Sequence, residues 1–249
     1  MHSLPDKKIH ITRHWGLFIG QLDDNMLHKH YAIQISVTSG TPFLIRDGEG
    51  AETNETVQYT GSNVFHQLLS TDILLVLLIN PLSKVGYGMS RHFDTIGLTA
   101  FSKEIGKGLA VPLKEYVSQS ITFEQLVAYI SLFLSDLECQ CEEKEHLGDD
   151  RIYKVIRYFE EHTERIVSLK EAADFCYLSE TRFLHLFKER TGLNFRRYQL
   201  WNKLIASLPY LRENSITATA HTFGFTDSAH YTRTFRETFG MTPRQIANL

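Results

Sequence analysis

Cysteine is scarce in this chain of 249 residues, with only Cys139, Cys141 and Cys176 present. Three is an odd count, the first two form a CxC, and no second thiol pair answers them as a zinc ribbon would need, so all three read as ordinary reduced thiols. Long apolar runs are missing too. The longest, ILLVLLI from Ile73 to Ile79, falls far short of the roughly 20 residues a membrane helix requires, and the N-terminal MHSLPDKKIH has no apolar signal region. A cytoplasmic protein without a membrane partner is expected. Catalytic signatures are also lacking: there is no GxSxG, no P-loop and no cysteine set in a motif with histidine, so no catalytic residue is assigned and an enzyme is not expected.

Net charge is only −3, which hides an asymmetry. Residues 1–150 hold 11 Lys and Arg against 19 Asp and Glu, whereas residues 151–249 hold 15 against 10. The basic half suits a polyanion, although an excess of +5 is also reached by ordinary helical domains.

Up to about Gly108 the pattern is strand-like. HITRHWGLFIGQL, HYAIQISV, FLIRDGEG, SNVFHQLL and ILLVLLINP carry β-branched and aromatic residues between turn-forming Gly, Pro, Asn and Asp, as in an antiparallel β-sandwich or barrel. The period changes over residues 121–138, where Ile121, Leu126, Ile130, Phe133, Leu134 and Leu137 recur at helical steps. Two readings stand for that stripe: a helix lying on its own β-domain, or a homodimerisation helix presenting Leu126, Ile130, Phe133, Leu134 and Leu137. The acidic stretch at residues 141–150 has no periodicity and reads as a linker between a domain over 1–140 and one over 151–249.

Beyond Arg151 the pattern is helical. Ile152, Val155, Ile156 and Phe159 share one face, Ser168 and Glu171 have the spacing of a capping box, and Ser179 caps a further helix after a tight turn at Cys176 to Leu178. Shifting the sequence by 48 residues brings a second copy into register: Ala172 falls on Ala220, Phe175 on Phe223, Tyr177 on Phe225, Ser179 on Asp227, Phe183 on Tyr231, Phe187 on Phe235 and Gly192 on Gly240. Two helix-turn-helix motifs in tandem are expected. On their second helices the outward positions are Glu180, Thr181, Leu184 and His185, then Ser228, Ala229, Thr232 and Arg233, placed where a helix in the major groove meets base edges. Ser179, Arg196, Arg197 and Arg236 are candidates for phosphate contacts. Arg233 is the foremost base reader, because a guanidinium grips guanine through two hydrogen bonds. Residues 195–213 carry a helical strut between the motifs, which Pro209 should kink or break, and Thr242 and Pro243 open a short closing helix.

LSETRFLHLFKERTGLNFRRYQLW and GFTDSAHYTRTFRETFGMTPRQ resemble the two signature regions of the AraC/XylS family of transcription regulators, over about a hundred residues from Arg151 to Leu249. The resemblance implies a domain that engages double-stranded promoter DNA, commonly activating transcription through contacts with RNA polymerase. It places base reading on Thr181, Leu184 and His185 and on Ser228, Ala229, Thr232 and Arg233, of which Leu184 and Ala229 offer only apolar contact.

Family members often join that domain to a cupin-like sensory or dimerisation domain. Here His28-Lys-His30, then Gln34, then His66 are similar to the cupin arrangement of HxH, a carboxylate four residues on and a third histidine. Three imidazoles could hold Zn, Fe or Ni, but Gln34 stands in place of the anionic ligand, which weakens a divalent site. The favoured reading is a small-molecule effector pocket lined by His28, His30, Gln34 and His66, with no metal or other cofactor assigned. The alternatives are a cupin-type metal protein or enzyme using His28, His30 and His66, and a regulator controlled by a protein partner.

Overall fold

A computed structural model describes residues 7–22, 25–92, 98–100, 103–162 and 165–247; the first six residues, including the start of MHSLPDKKIH, lie outside them. The chain divides into two compact units, one holding residues up to Cys139 together with Arg236–Ala247, the other Gln140–Phe235. The closing segment, expected with the C-terminal domain, therefore groups with the first unit.

The first unit contains β1 (Lys8–Ile11), β2 (Trp15–Leu22), β3 (Ile33–Thr38), β4 (Phe43–Asp47), β5 (Glu52–Glu55), β6 (Val57–Thr60), β7 (His66–Ile79) and β8 (Leu98–Ala100), with helices α1 (Lys84–His92), α2 (Lys103–Val117) and α3 (Phe123–Ser135). All ladders are antiparallel, in the order β1-β2-β7-β3-β6-β8, while β4 pairs with the start of β7 and with β5. SNVFHQLL and ILLVLLI thus belong to one 14-residue strand rather than two. From Ile73 to Ile79 strand β7 is continuously apolar because both of its faces pack against core there. Ile73, Leu75, Leu77 and Ile79 join the cluster under the helices, and Leu68, Leu74 and Val76 join Phe18, Leu22, Phe43 and Ile45 in a second cluster.

Helix α3 opens with a full capping box, Gln125 N donating to Thr122 Oγ1 and Thr122 N donating to Gln125 Oε1. Its apolar stripe is spent inside the unit. Leu126, Ile130 and Leu134 are buried with Leu109 and Leu113 of α2, and the partly buried Phe133 and Leu137 pack against the same cluster, so of the two readings of the stripe the burial agrees with a helix lying on its own domain. Helices α1 and α2 were not legible in the strand-like pattern before Gly108, because Gly86, Gly88, Gly106, Gly108 and Pro112 interrupt their periodicity.

The second unit is helical, with α4 (Glu143–Leu147), α5 (Asp150–Glu161), α6 (Leu169–Phe175), α7 (Glu180–Thr191), α8 (Phe195–Leu211), α9 (Ile216–Thr222) and most of α10 (Ser228–Phe239). Helix α4 lies inside the stretch read as an unstructured linker, and Cys139 and Cys141 are joined in a disulfide instead of remaining reduced thiols. Rings of Phe159, Phe183, Phe187, Phe195 and Tyr198 form the aromatic centre of this unit, drawn from α5, α7 and α8. Helix α8 runs 17 residues, about 26 Å, and continues through Pro209 to Leu211. No break occurs there, because Pro209 stands in the last turn and costs the helix a single hydrogen bond near its end. Helix α11 (Pro243–Ala247) begins at Pro243, with Thr242 N donating to Gln245 Oε1 at 2.7 Å.

Candidate nucleic-acid interface and a buried histidine cluster

Each helix-turn-helix motif is built from local rules. In the first, Ser168 Oγ accepts from Glu171 N at 3.1 Å to start α6. Glu171 does not complete the expected capping box: its carboxylate takes Tyr158 OH at 2.6 Å and Arg165 Nη1 at 3.0 Å, contacts that hold its pKa down to about 2. Helix α6 ends in a left-handed residue, Tyr177 at φ 55°, with Leu178 N donating to Ala173 O. Ser179 then accepts from Arg182 N to start α7. In the second motif the left-handed residue is Gly224 at φ 65°, Phe225 N donates to Ala220 O, and Asp227 Oδ1 accepts from His230 N at 2.7 Å to start α10.

These turns revise the internal repeat. Helices α7 and α10 match at a shift of 48, but the preceding turns match at 47, so Ala173 rather than Ala172 corresponds to Ala220 and Tyr177 corresponds to Gly224. Burial agrees, since Phe223 and Phe225 are buried whereas Phe175 and Tyr177 are exposed. The second turn has one residue more. Tyr177 is 95% exposed in a conformation that costs a residue with Cβ roughly 1 kcal/mol, so Tyr177→Gly should raise stability by about that amount in urea unfolding. A loss of stability would show that the Tyr177 side chain makes an essential contact.

The outward face is largely free. Thr181, Leu184, His185, Ala229 and Arg233 are exposed, Ser228 and Thr232 half-buried, and Ser179, Arg196, Arg197 and Arg236 exposed. On the inner face Phe183, Phe187, Tyr231 and Phe235 are fully buried. Tyr231 OH and Ser207 Oγ are 2.8 Å apart, fastening α10 to α8. Burial pushes the Tyr231 phenol up to about 12, so it stays a neutral hydroxyl. Arg196 and Arg197 stand in the first turn of α8, where Asn194 Oδ1 accepts from Arg197 N and the unpaired amides of the helix end favour an anion.

Periodicity alone missed Gln199. Its side-chain amide accepts from Val167 N and donates to Val167 O, both at 3.0 Å, tying the approach to α6 onto α8 as a strand would. Cys176 is a free thiol, as its sequence context predicts; it is buried, its Sγ lies 3.5 Å from Arg151 O, and burial raises its pKa to about 11. Thiolate is therefore about a thousandth of the total at pH 8, and alkylation of native Cys176, mapped by mass spectrometry, should be at least ~100-fold slower than after unfolding.

In the first unit, four of the residues singled out from sequence do come together. His28 and His66 face each other across a two-bond bridge, His28 N to His66 O at 3.0 Å and His66 N to His28 O at 2.8 Å. Ring centroids lie 4.4 Å apart for His28 and His66, 5.0 Å for His30 and His66, and 5.5 Å for His28 and His30. Gln34 Oε1 is 3.0 Å from His30 Nε2 and 3.3 Å from His66 Nε2. All three imidazoles are buried. Burial holds them neutral, driving His28 down to about 3 and lowering His30 and His66 as well.

The wall around them is polar for a reason that pattern reading passed over. Alternation in IQISVT and VQYT sends Ile33, Ile35, Val37 and Tyr59 to the helix-covered core, while Gln34, Ser36, Thr38, Gln58 and Thr60 are buried on the opposite face. Close by, Met26 N donates to Gly240 O at 3.1 Å within the same unit. Gly240 has φ 69°, and a Cβ there would fall 2.6 Å from His28 Nδ1, so two separate constraints require glycine.

Comparison with known proteins agrees with this architecture. Residues 172–248 match the family model described as a helix-turn-helix domain. The transcriptional activator RhaS of Escherichia fergusonii is 35% identical over 100 residues, 39% of this chain and 36% of that protein. The chain thus spans little more than a third of that relative's length. LumQ of Photobacterium leiognathi, a probable transcriptional regulator, is 23% identical over 192 residues, covering 73% of this chain and 75% of its own. Among solved structures, apo ToxT from Vibrio cholerae superposes with a TM-score of 0.64 at 14% identity, covering 95% of this chain and 98% of that one. ToxT with an unsaturated fatty acid bound gives a TM-score of 0.58 at 14% identity, covering 99% and 97%. No helix among the described residues is long and apolar enough to cross a membrane. With a matched helix-turn-helix domain and transcription regulators as relatives, residues 172–248 form a helix-turn-helix domain similar to theirs, and the chain as a whole has the two-part fold of ToxT.

Proposed function

We propose that the protein is a sequence-specific, double-stranded-DNA-binding regulator of transcription, acting as an activator through RNA polymerase. The carrying observation is the duplicated, capped helix whose inner face is filled by aromatic rings and whose outer face is exposed at Thr181, Leu184, His185, Ala229 and Arg233 and half-buried at Ser228 and Thr232. A helix held in this way on a rigid aromatic floor can present base-reading side chains without reorganising. The first unit is the sensor. Its interior, polar along β3 and β6 and lined by His28, His30, Gln34 and His66, suits a small polar effector better than a purely hydrocarbon one.

The test is selection of duplexes from a random pool by the full chain at two salt concentrations. Two half-sites about one helical turn apart, retained at the higher salt, support the reading. Binding that is uniform in sequence and set by salt alone would reduce the tandem motifs to an electrostatic platform and sink it.

A further inference from the structure

We propose that Cys139, Cys141 and His146, once the Cys139–Cys141 bridge is reduced, bind one Zn(II) ion through two thiolates and the imidazole Nε2. All three side chains are half-buried, and their ligand atoms lie within 4.8 Å of one another. His146 Nε2 is already 3.2 Å from Cys141 Sγ. Tetrahedral zinc sets about 3.6 Å between a sulfur and a nitrogen and about 3.8 Å between two sulfurs. Opening the bridge frees the sulfurs to take those separations while the ring stays where it is.

The ring is placed by local folding and not by the bridge. His146 rides on the single turn of α4, in which Glu145 N donates to Glu142 O at 2.9 Å. Gly148, at φ 61°, ends that helix, and the buried Leu147 anchors it. One ligating nitrogen is therefore in position whichever state the cysteines are in.

The bridge itself is of a kind that opens. It closes over one intervening residue, Gln140, so it gains little from restricting the unfolded chain, and its half-buried sulfurs are within reach of a reductant. Two molecules of a thiol reductant supply two electrons and two protons. The S–S bond breaks, each cysteine becomes a thiol, and the reductant leaves as its own disulfide. Zinc then displaces both thiol protons, and the two thiolates offset its double charge, leaving a neutral site with a fourth position for water. Charge also selects the ion. Residues 138–145 hold four glutamates against one lysine, surroundings that favour this neutral complex over the anionic one that Cu(I) would form with the same donors.

The rival is a lasting disulfide, with His146 donating to a bridge sulfur and no ion bound in either state. The full chain decides between them, reduced anaerobically with a phosphine, which competes little for the ion, and titrated with Co(II) and then Zn(II). No DNA binding is read, so the result stands apart from the regulator reading. Expected are one equivalent of Co(II) with thiolate-to-cobalt charge transfer, its displacement by Zn(II), and loss of the band when the bridge is reoxidised. Cys141→Ser should abolish the band, and His146→Ala, still folded by circular dichroism, should weaken Co(II) at least ~10-fold. The oxidised wild type is a control that needs no substitution. Cobalt on the β-domain histidines gives no thiolate band, and cobalt on Cys176 would keep its band in Cys141→Ser. The proposal is overturned if thiol counting shows that the phosphine leaves the bridge closed, or if the reduced chain gives no charge-transfer band. It is equally overturned if the band survives in Cys141→Ser, or if His146→Ala binds Co(II) as tightly as the wild type.

Discussion

Phe187→Ala will cost the second unit about 3–5 kcal/mol, the largest loss expected from any single truncation in this protein. The ring is fully buried, and four others surround it, with centroids at 5.5 Å for Phe183, 6.1 Å for Phe159, 6.0 Å for Phe195 and 5.4 Å for Tyr198. Phe195 and Tyr198 meet it edge-on, the arrangement that adds quadrupole attraction to the burial. The hole left by alanine cannot close easily, because its walls are rings anchored on three different helices, α5, α7 and α8. Tryptophan makes the measurement clean: Trp15 lies in β2 and the buried Trp201 in α8, so a Trp15→Phe background leaves fluorescence reporting the second unit alone. Urea unfolding should move to lower midpoint with an unchanged slope, and Phe187→Leu should lose much less. A shift below about 1 kcal/mol for Phe187→Ala would mean that the aromatic cluster is not the core of that unit.

Arg233→Ala should weaken binding to the selected DNA by roughly 5- to 150-fold, about 1–3 kcal/mol, and relax preference at one base position. Arg233 is exposed on α10, about one helical turn after the half-buried Ser228 and the exposed Ala229, and on the opposite side from the buried Tyr231 and Phe235. Its stability contribution should be small for the same reason. The contrast that gives this prediction content is Arg196→Ala. A phosphate contact from the first turn of α8 carries no sequence information, so its removal should lower affinity for all duplexes alike and reduce the slope against log salt by about one. If Arg233→Ala also weakened every sequence equally, Arg233 would be a backbone clamp and base reading would have to lie with Thr232 or the first motif.

Much of the second unit is legible in the chain because its signals are local. Ser168, Ser179 and Asp227 each satisfy an amide within three residues, and the face of Ile152, Val155, Ile156 and Phe159 is repeated within four. Other features needed the partner across the fold. Whether the Leu126, Ile130 and Leu134 stripe faces a second molecule or its own sheet depends on α2, whose glycines and Pro112 conceal it. Glu171 has the spacing of a capping box, yet it is claimed by Arg165 and Tyr158, a competition that spacing cannot express. The shift of 48 aligns helices but hides the extra residue in the second turn, since only the left-handed positions of Tyr177 and Gly224 show where each turn begins.

The sequence by itself determined helix starts, the duplicated motif and its outward residues, because these depend on neighbours a few positions apart. Only the tertiary structure decided that one strand, β7, serves two cores, and that His28, His30, Gln34 and His66 point at one another with Nδ1 held by the backbone. The histidine contacts join residues up to 38 positions apart, and burial, tautomer and aim at such a site are set by the strands that meet there, not by the letters on either side.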